Sequence, residues 1–403
     1  MVTAPAAPTA LVRFADAGDL YVTWRWTHAL DSPGVTVIPR AQVTDAMAAL
    51  TAARPGAPDG HLAAYTTELD LAARLARTLV PYGLALNLHQ YLQRGVRPLL
   101  RIQPAPSIAR VPWELLALDS DPEIRLLEVA DVSALAPASV VHAPARVRRP
   151  WSAGRELPLV AVLDPRVPGF GAGSRLGSVL GPVDPGAPLV RRLAEHARAG
   201  RLRLPVPGEA TSLFRRADTD RDWLSAALRA GASRLLYTGH VTAADPAAGS
   251  SEDARLHLSC PATLPGHAPA LRGHRPLAAK DLLLDPARWP MPGRVALIAC
   301  ESGGDPRFAD ALGLTSATLH AGAELVTATR WPLPTDHALA LAGADPTARP
   351  LQEAIRAIDT AHESEDPVRA LAGWQRERLT AWRRERTIEH APLLWGAFTT
   401  TTG

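Results

Sequence analysis

The sequence predicts an α/β protein, with a doubly wound, mostly parallel sheet covered by helices on both faces and a smaller N-terminal α/β portion containing a β-hairpin. Three observations carry this. A short continuous apolar run at 159–163 and short, largely apolar strands at 234–238 and 295–299 alternate with helical patterns, as expected of strands buried on both sides. The stretch Leu11 to Trp26 instead alternates around an Asp-Ala-Gly-Asp turn, which reads as a hairpin. At 403 residues, the chain is long enough for more than one core.

In chain order, the aromatics Phe14, Tyr21, Trp24 and Trp26 fall on the hairpin strands. Apolar spacing predicts helices over 41–53 and 61–80. A strand is expected at 96–102, and the segment Val-Pro-Trp-Glu-Leu-Leu follows from Val111. Residues 136–151 are rich in Pro, Ala and Arg, which suggests a boundary or linker. The expected domains are therefore 1–150 and 151–403.

The second domain opens with the strand 159–163. A helix over 188–199 ends at Gly200, and a second strand follows at 201–206. Asp220 is placed to cap a helix through Arg229, closed by Gly231. The third and fourth strands are 234–238 and 295–299. A helix over 308–320 ends at Gly322, and the fifth strand is 324–329. The stretch 241–276 is too long and too rich in Pro and Gly for a passive connection. Residues 351–386 are helical and charged, with Trp374, Leu379 and Trp382 near the packing side.

Composition narrows the function. The formal net charge of +3 is small for this size, so no nucleic-acid partner is expected. Two cysteines, Cys260 and Cys300, make no disulfide framework. No apolar run approaches the roughly 18 residues of a membrane span, and the N-terminus lacks the basic and apolar regions of a signal peptide. The expectation is a cytoplasmic protein without a membrane partner. Lys280 is the single lysine among many arginines, a codon bias of GC-rich bacterial genomes.

In open α/β sheets, ligands bind beyond the carboxyl ends of the strands. Two predicted strand ends carry reactive side chains: Leu-Leu-Tyr-Thr-Gly-His ends in His240, and Val-Ala-Leu-Ile-Ala-Cys ends in Cys300. Adjacent strands lie about 5 Å apart, so neighbouring strands would bring the tips together. A thiol beside an imidazole can act as nucleophile and base. Alone, Cys300 reads equally well as a core thiol, and His240 as a polar rim residue. Backbone amides of Cys300 and of the loop beside His240 are the candidate oxyanion donors.

The ordered motifs resemble the caspase-like CHAT domain family, relatives of caspases and separases. Strand-Gly-His is followed by strand-Ala-Cys-Glu-Ser-Gly. The segments at Val111 (VPWELL), Leu277 (LAAKDLLL), Ala309–Asp336 with its Trp-Pro turn, and Ala391 (APLLWGAF) match in the same order over roughly residues 70 to 400. The resemblance implies a caspase-like fold and a regulated cysteine endopeptidase, with Cys300 the nucleophile and His240 the base. Gly239 and Glu301 would belong to the surrounding loops. Asp164 and Trp331 would line the substrate cleft. The partners it implies are a protein or peptide substrate and an activating protein, with a role in bacterial defence or programmed death and no metal or organic cofactor. One residue departs: the family has Gly after the histidine, and here Val241 follows. A branched residue there narrows the conformations open to the oxyanion loop. Val241 is the feature that favours the alternative, a catalytically weak scaffold that binds partners.

Other stretches read more plainly. Cys260, His267 and His274 are too widely spaced for a zinc site. Gly-Ala-Gly-Ser-Arg-Leu-Gly from Gly171 is one residue too long for a dinucleotide fingerprint and reads as a flexible loop.

Overall fold

A computed structural model describes residues 7–118, 123–204, 209–242, 251–299 and 311–403. The chain forms two compact units, Met1–Leu135 with Asp366–Thr400, and Ala136–Glu365 with Thr401–Gly403. The first unit thus ends at Leu135, not at 150, and it takes back the helix Pro367–Glu385. That helix sends the Trp382 indole to Glu68, 3.3 Å away, and Glu68 pairs with buried Arg125 at 3.0 Å. The stretch 136–151 is not a free linker: Arg146 donates to the carbonyls of Leu319 and Ala323 in the second unit.

In the first unit, β1 (Thr9–Ala17) and β2 (Asp19–Trp26) form the expected hairpin, antiparallel, with Val12 opposite Trp24. β2 alternates strictly: Leu20, Val22, Trp24 and Trp26 are buried, Tyr21, Thr23 and Arg25 exposed. A further strand, β3 (Ala29–Ile38), pairs with β2 at the sheet edge. Its Asp-Ser-Pro-Gly sequence resembles a turn, yet an edge strand tolerates proline. Gly34 lies where a Cβ would stand 2.0 Å from the Trp24 ring. β4 (Leu99–Gln103) joins β1, and β5 (Asp131–Leu135) joins β4, both in parallel. Helices Arg40–Ala52 and Tyr65–Leu79 match the apolar spacing. The helix Tyr82–Gln93 escapes it because only Leu84 and Leu88 are buried.

The second unit carries β6 (Leu159–Leu163), β7 (Leu202–Arg203), β8 (Arg234–Gly239), β9 (Val241–Thr242), β10 (Arg255–Leu256), β11 (Leu277–Ala278), β12 (Arg294–Ala299) and β13 (Leu325–Thr329). β14 (Phe398–Thr402) ends the element order. The order β7-β6-β8-β12-β13 is parallel throughout. β6 and β13 are buried along their whole length, as a parallel sheet covered on both faces requires. Val160, Val162, Leu235, Tyr237, Val295, Leu297 and Val326 share one core with Leu224 and Leu228 of the helix Arg221–Arg229 and Leu314 of the helix Ala311–His320. On the opposite face, Arg234 reaches Asp359 of the helix Pro350–Ala361 at 2.7 Å. This is the predicted doubly wound α/β architecture.

Helix ends also follow the sequence. The Asp220 carboxylate accepts from the Trp223 amide at 2.9 Å, and Gly200, Gly231 and Gly322 take positive φ. The expected helix from Phe308 is described from Ala311 onward; residues 308–310 lie outside the described residues. The long stretch after His240 is not plain loop: β9, β10 and β11 make a small antiparallel sheet. Among the described residues, no helix is long and apolar enough to cross a membrane.

Candidate active site

The strand order of the second unit reverses between β6 and β8. Such a switch point opens a crevice at the carboxyl ends of the strands. Asp164 follows β6 there, and His240 follows β8. β12 runs beside β8 with Ala299 paired to Gly239. Cys300 and Glu301 lie outside the described residues.

His240 is buried, with 4% of its surface exposed. Its Nε2 lies 3.0 Å from the Gly177 carbonyl oxygen. A carbonyl only accepts, so Nε2 carries the proton and donates. In the neutral ring the lone pair then sits on Nδ1, which is the proton-accepting nitrogen. The backbone is held as well: the His240 carbonyl accepts from the Tyr237 hydroxyl at 2.7 Å and from the His257 amide at 3.1 Å.

Gly239 has a steric reason. A Cβ there would stand 2.6 Å from the Tyr237 hydroxyl and 3.2 Å from Pro165 Cδ. Only a residue without a side chain lets Tyr237 pass to the His240 carbonyl. Val241 lies in β9, paired with Leu256, and is not among the residues with positive φ. An extended strand suits a β-branched residue, so valine imposes no left-handed strain at this position.

Asp164 is 1% exposed. Its carboxylate accepts from the Ser178 hydroxyl at 2.6 Å, the Val179 amide at 3.1 Å, the Leu180 amide at 3.3 Å and Arg215 Nη1 at 3.2 Å. Its backbone adopts φ of 49°, a left-handed conformation that Asp tolerates better than most residues. These bonds hold the residues that directly follow Gly171–Gly177, the segment read as a flexible loop. That segment is exposed at Gly171–Gly173 and Arg175 but closed at its end by backbone bonds: Gly177 donates to the Ser174 carbonyl and Ser178 to the Ala172 carbonyl, both at 2.8 Å. A Cβ on Gly177 would fall 2.0 Å from the Ala172 carbonyl oxygen.

Trp331 is 4% exposed, so it offers little surface to a substrate. Two residues on, the Leu333 amide donates to the Ala299 carbonyl at 3.3 Å and ties the Trp-Pro turn to the end of β12.

Cys260 is a packed thiol. Burial pushes its pKa up to about 11, and its sulfur accepts from the Arg221 amide at 3.2 Å. His274 and His257 continue from it as a chain. His274 Nδ1 donates to the Cys260 carbonyl at 2.8 Å, His257 Nδ1 lies 3.1 Å from His274 Nε2, and Thr242 Oγ1 lies 2.8 Å from His257 Nε2. The terminal carbonyl fixes the direction of every bond when both rings are neutral. Burial holds His257 well below the usual histidine range, helped by the neighbouring His274, His240 and Arg255. His267 bonds Asp281 at 2.9 Å. Among the described residues no cluster of His, Cys, Asp or Glu is arranged to hold a metal ion.

Ser178 and His257 take part in this site without having been singled out in the sequence, and Gly177 was noted only as the last residue of the segment read as a flexible loop. The available signal was positional: a glycine-rich segment following the first strand of a parallel sheet, at the sheet's ligand-binding edge.

A model of the CHAT domain matches residues 70–403. A search of curated proteins finds no match to the chain.

Proposed function

Because the chain belongs to the CHAT domain family, a caspase-like family of peptidase kind, we propose that it is a cysteine endopeptidase with a Cys300–His240 dyad. The observation that carries the reading is the register of β8 and β12. Ala299 and Gly239 are paired, and each immediately precedes one member of the dyad. The orientation of His240 supports it, with Nε2–H donated to the Gly177 carbonyl and the lone pair of the neutral ring on Nδ1.

In the proposed reaction His240 accepts the thiol proton. The Cys300 thiolate attacks the scissile carbonyl carbon and a C–S bond forms. Backbone amides of Cys300 and of the loop beside His240 stabilise the oxyanion. The imidazolium passes its proton to the amine as the C–N bond breaks. His240 then takes a proton from water, whose oxygen displaces the thiolate and releases the acid. No step calls for a metal or organic cofactor. Control by an activating partner, and a role in bacterial defence, belong to the same reading and rest on the family resemblance.

The test is a cleavage profile. Wild type and Cys300→Ala are incubated with a proteome-derived peptide library, and new termini are identified by mass spectrometry. Cleavages made only by the wild type are expected, and their pattern names the residue preferred before the scissile bond. Identical products from the two proteins would favour the partner-binding scaffold.

A further inference from the structure

Resting on the dyad reading, we infer that Asp164 is a positioning residue that sets the orientation of His240 through the Gly171–Gly181 loop. The connection is short and complete. The Asp164 carboxylate holds Ser178, Val179 and Leu180 by three bonds. Ser178 Oγ in turn accepts from the Gly181 amide at 3.0 Å. The residue before Ser178 is Gly177, whose carbonyl receives His240 Nε2–H. Asp164 is also tied to the strand His240 follows, its amide donating to the Thr238 carbonyl at 2.6 Å. One buried residue, its carboxylate on the loop and its backbone amide on the strand, therefore fixes the two relative to each other, and the imidazole hangs between them.

This reassigns the residue. Its carboxylate is engaged with the loop and with Arg215, and only 1% of the residue is exposed. It acts on the imidazole, not on the substrate. The left-handed backbone at Asp164 lets the carboxylate be removed without adding backbone strain, because glycine adopts that conformation readily. Asp164→Gly removes the carboxylate and keeps the chain path. Asp164→Asn keeps one acceptor oxygen and serves as the conservative variant.

The experiment measures the pH dependence of Cys300 alkylation by iodoacetamide, with Cys260 resolved by mass. It uses wild type, Asp164→Gly, Asp164→Asn, His240→Ala and the Asp164→Gly/His240→Ala double variant. In Asp164→Gly the rate at neutral pH falls roughly tenfold, the loss that follows when the thiol titration moves up by one pH unit. Asp164→Asn recovers part of it. The double variant matches His240→Ala alone, because a residue acting through His240 has nothing left to act on. An unchanged profile in Asp164→Gly, beside a shifted one in His240→Ala, overturns the inference and leaves the dyad standing. Additive losses in the double variant overturn it too. A profile unmoved by His240→Ala overturns the dyad itself. If Asp164→Gly fails to fold, Ser178→Ala takes its place under the same criteria.

Discussion

Two segments flank His240, and they are held by opposite chemistry. The Gly171–Gly181 loop is fixed by a buried carboxylate and by backbone packed so closely that Gly177 has no room for a side chain. The β9–β11 arm is fixed by neutral groups in series: Thr242, His257, His274 and the Cys260 carbonyl. Cationic anchors hold it too, foremost the buried Arg221, which donates to the carbonyls of Pro265, Arg275 and Pro276. The first segment depends on shape. The second depends on two rings staying uncharged. They should therefore fail under different insults, and that difference can be tested.

The largest effect is expected at Arg221, which is 1% exposed. Arg221→Ala leaves three inward carbonyls without this donor and Asp281 without the guanidinium 3.7 Å away. Removing one partner of such a buried charged group costs about 4 kcal/mol. Denaturant unfolding of the second unit measures it, and a loss under about 1 kcal/mol would show that the arm is anchored elsewhere.

Next is Gly177→Ala, which forces a methyl group to within 2.0 Å of the Ala172 carbonyl oxygen unless the backbone moves. Overpacking of this kind costs about 2 kcal/mol. The shift moves the Gly177 carbonyl, so peptide cleavage falls with stability. Full activity in this variant would separate the loop from His240.

The smallest effect is the acid response of the arm. Burial depresses the pKa of folded His257, while the unfolded residue titrates near ~6.5. Below that value the unfolded chain binds a proton that the folded chain refuses. His257 therefore leaves stability intact above about pH 6.5 and erodes it as pH falls toward the folded pKa, by roughly 1.4 kcal/mol per pH unit. His362, pushed down to about 3 by burial and by Arg234 and Arg294, adds a second contribution of the same sign. His257→Gln should flatten the pH slope of the unfolding midpoint in part. An unchanged slope would exclude the ring as its source.

Much of the second unit was legible because its signals are local. A continuous apolar run such as 159–163 announces a strand covered on both faces, and Asp220 and Gly231 mark the ends of one helix within a dozen residues. The imidazole was legible for the same reason, since Gly-His closes a strand. What holds that imidazole was not. Its partner is a backbone carbonyl 63 residues away in the chain, and a carbonyl leaves no mark on the residue type. The organisation of the long arm was hidden in the same way, behind contacts such as Arg221 to Pro276, 55 residues apart. In the first unit, β3 was missed because its Pro-Gly pair, which reads as a turn, is used to pack against Trp24 at a sheet edge.

The most direct test of the central claim compares the two cysteines in one sample. Native protein is treated with iodoacetamide over a range of pH, and labelling at each cysteine is resolved by mass. An activated dyad predicts that Cys300 alkylates well below the ~8.5 of an ordinary thiol. Buried Cys260, with its pKa pushed up to about 11, stays unlabelled until the protein unfolds. If Cys300 reacts only at alkaline pH, or waits for unfolding as Cys260 does, the thiol is not activated and the endopeptidase reading is contradicted.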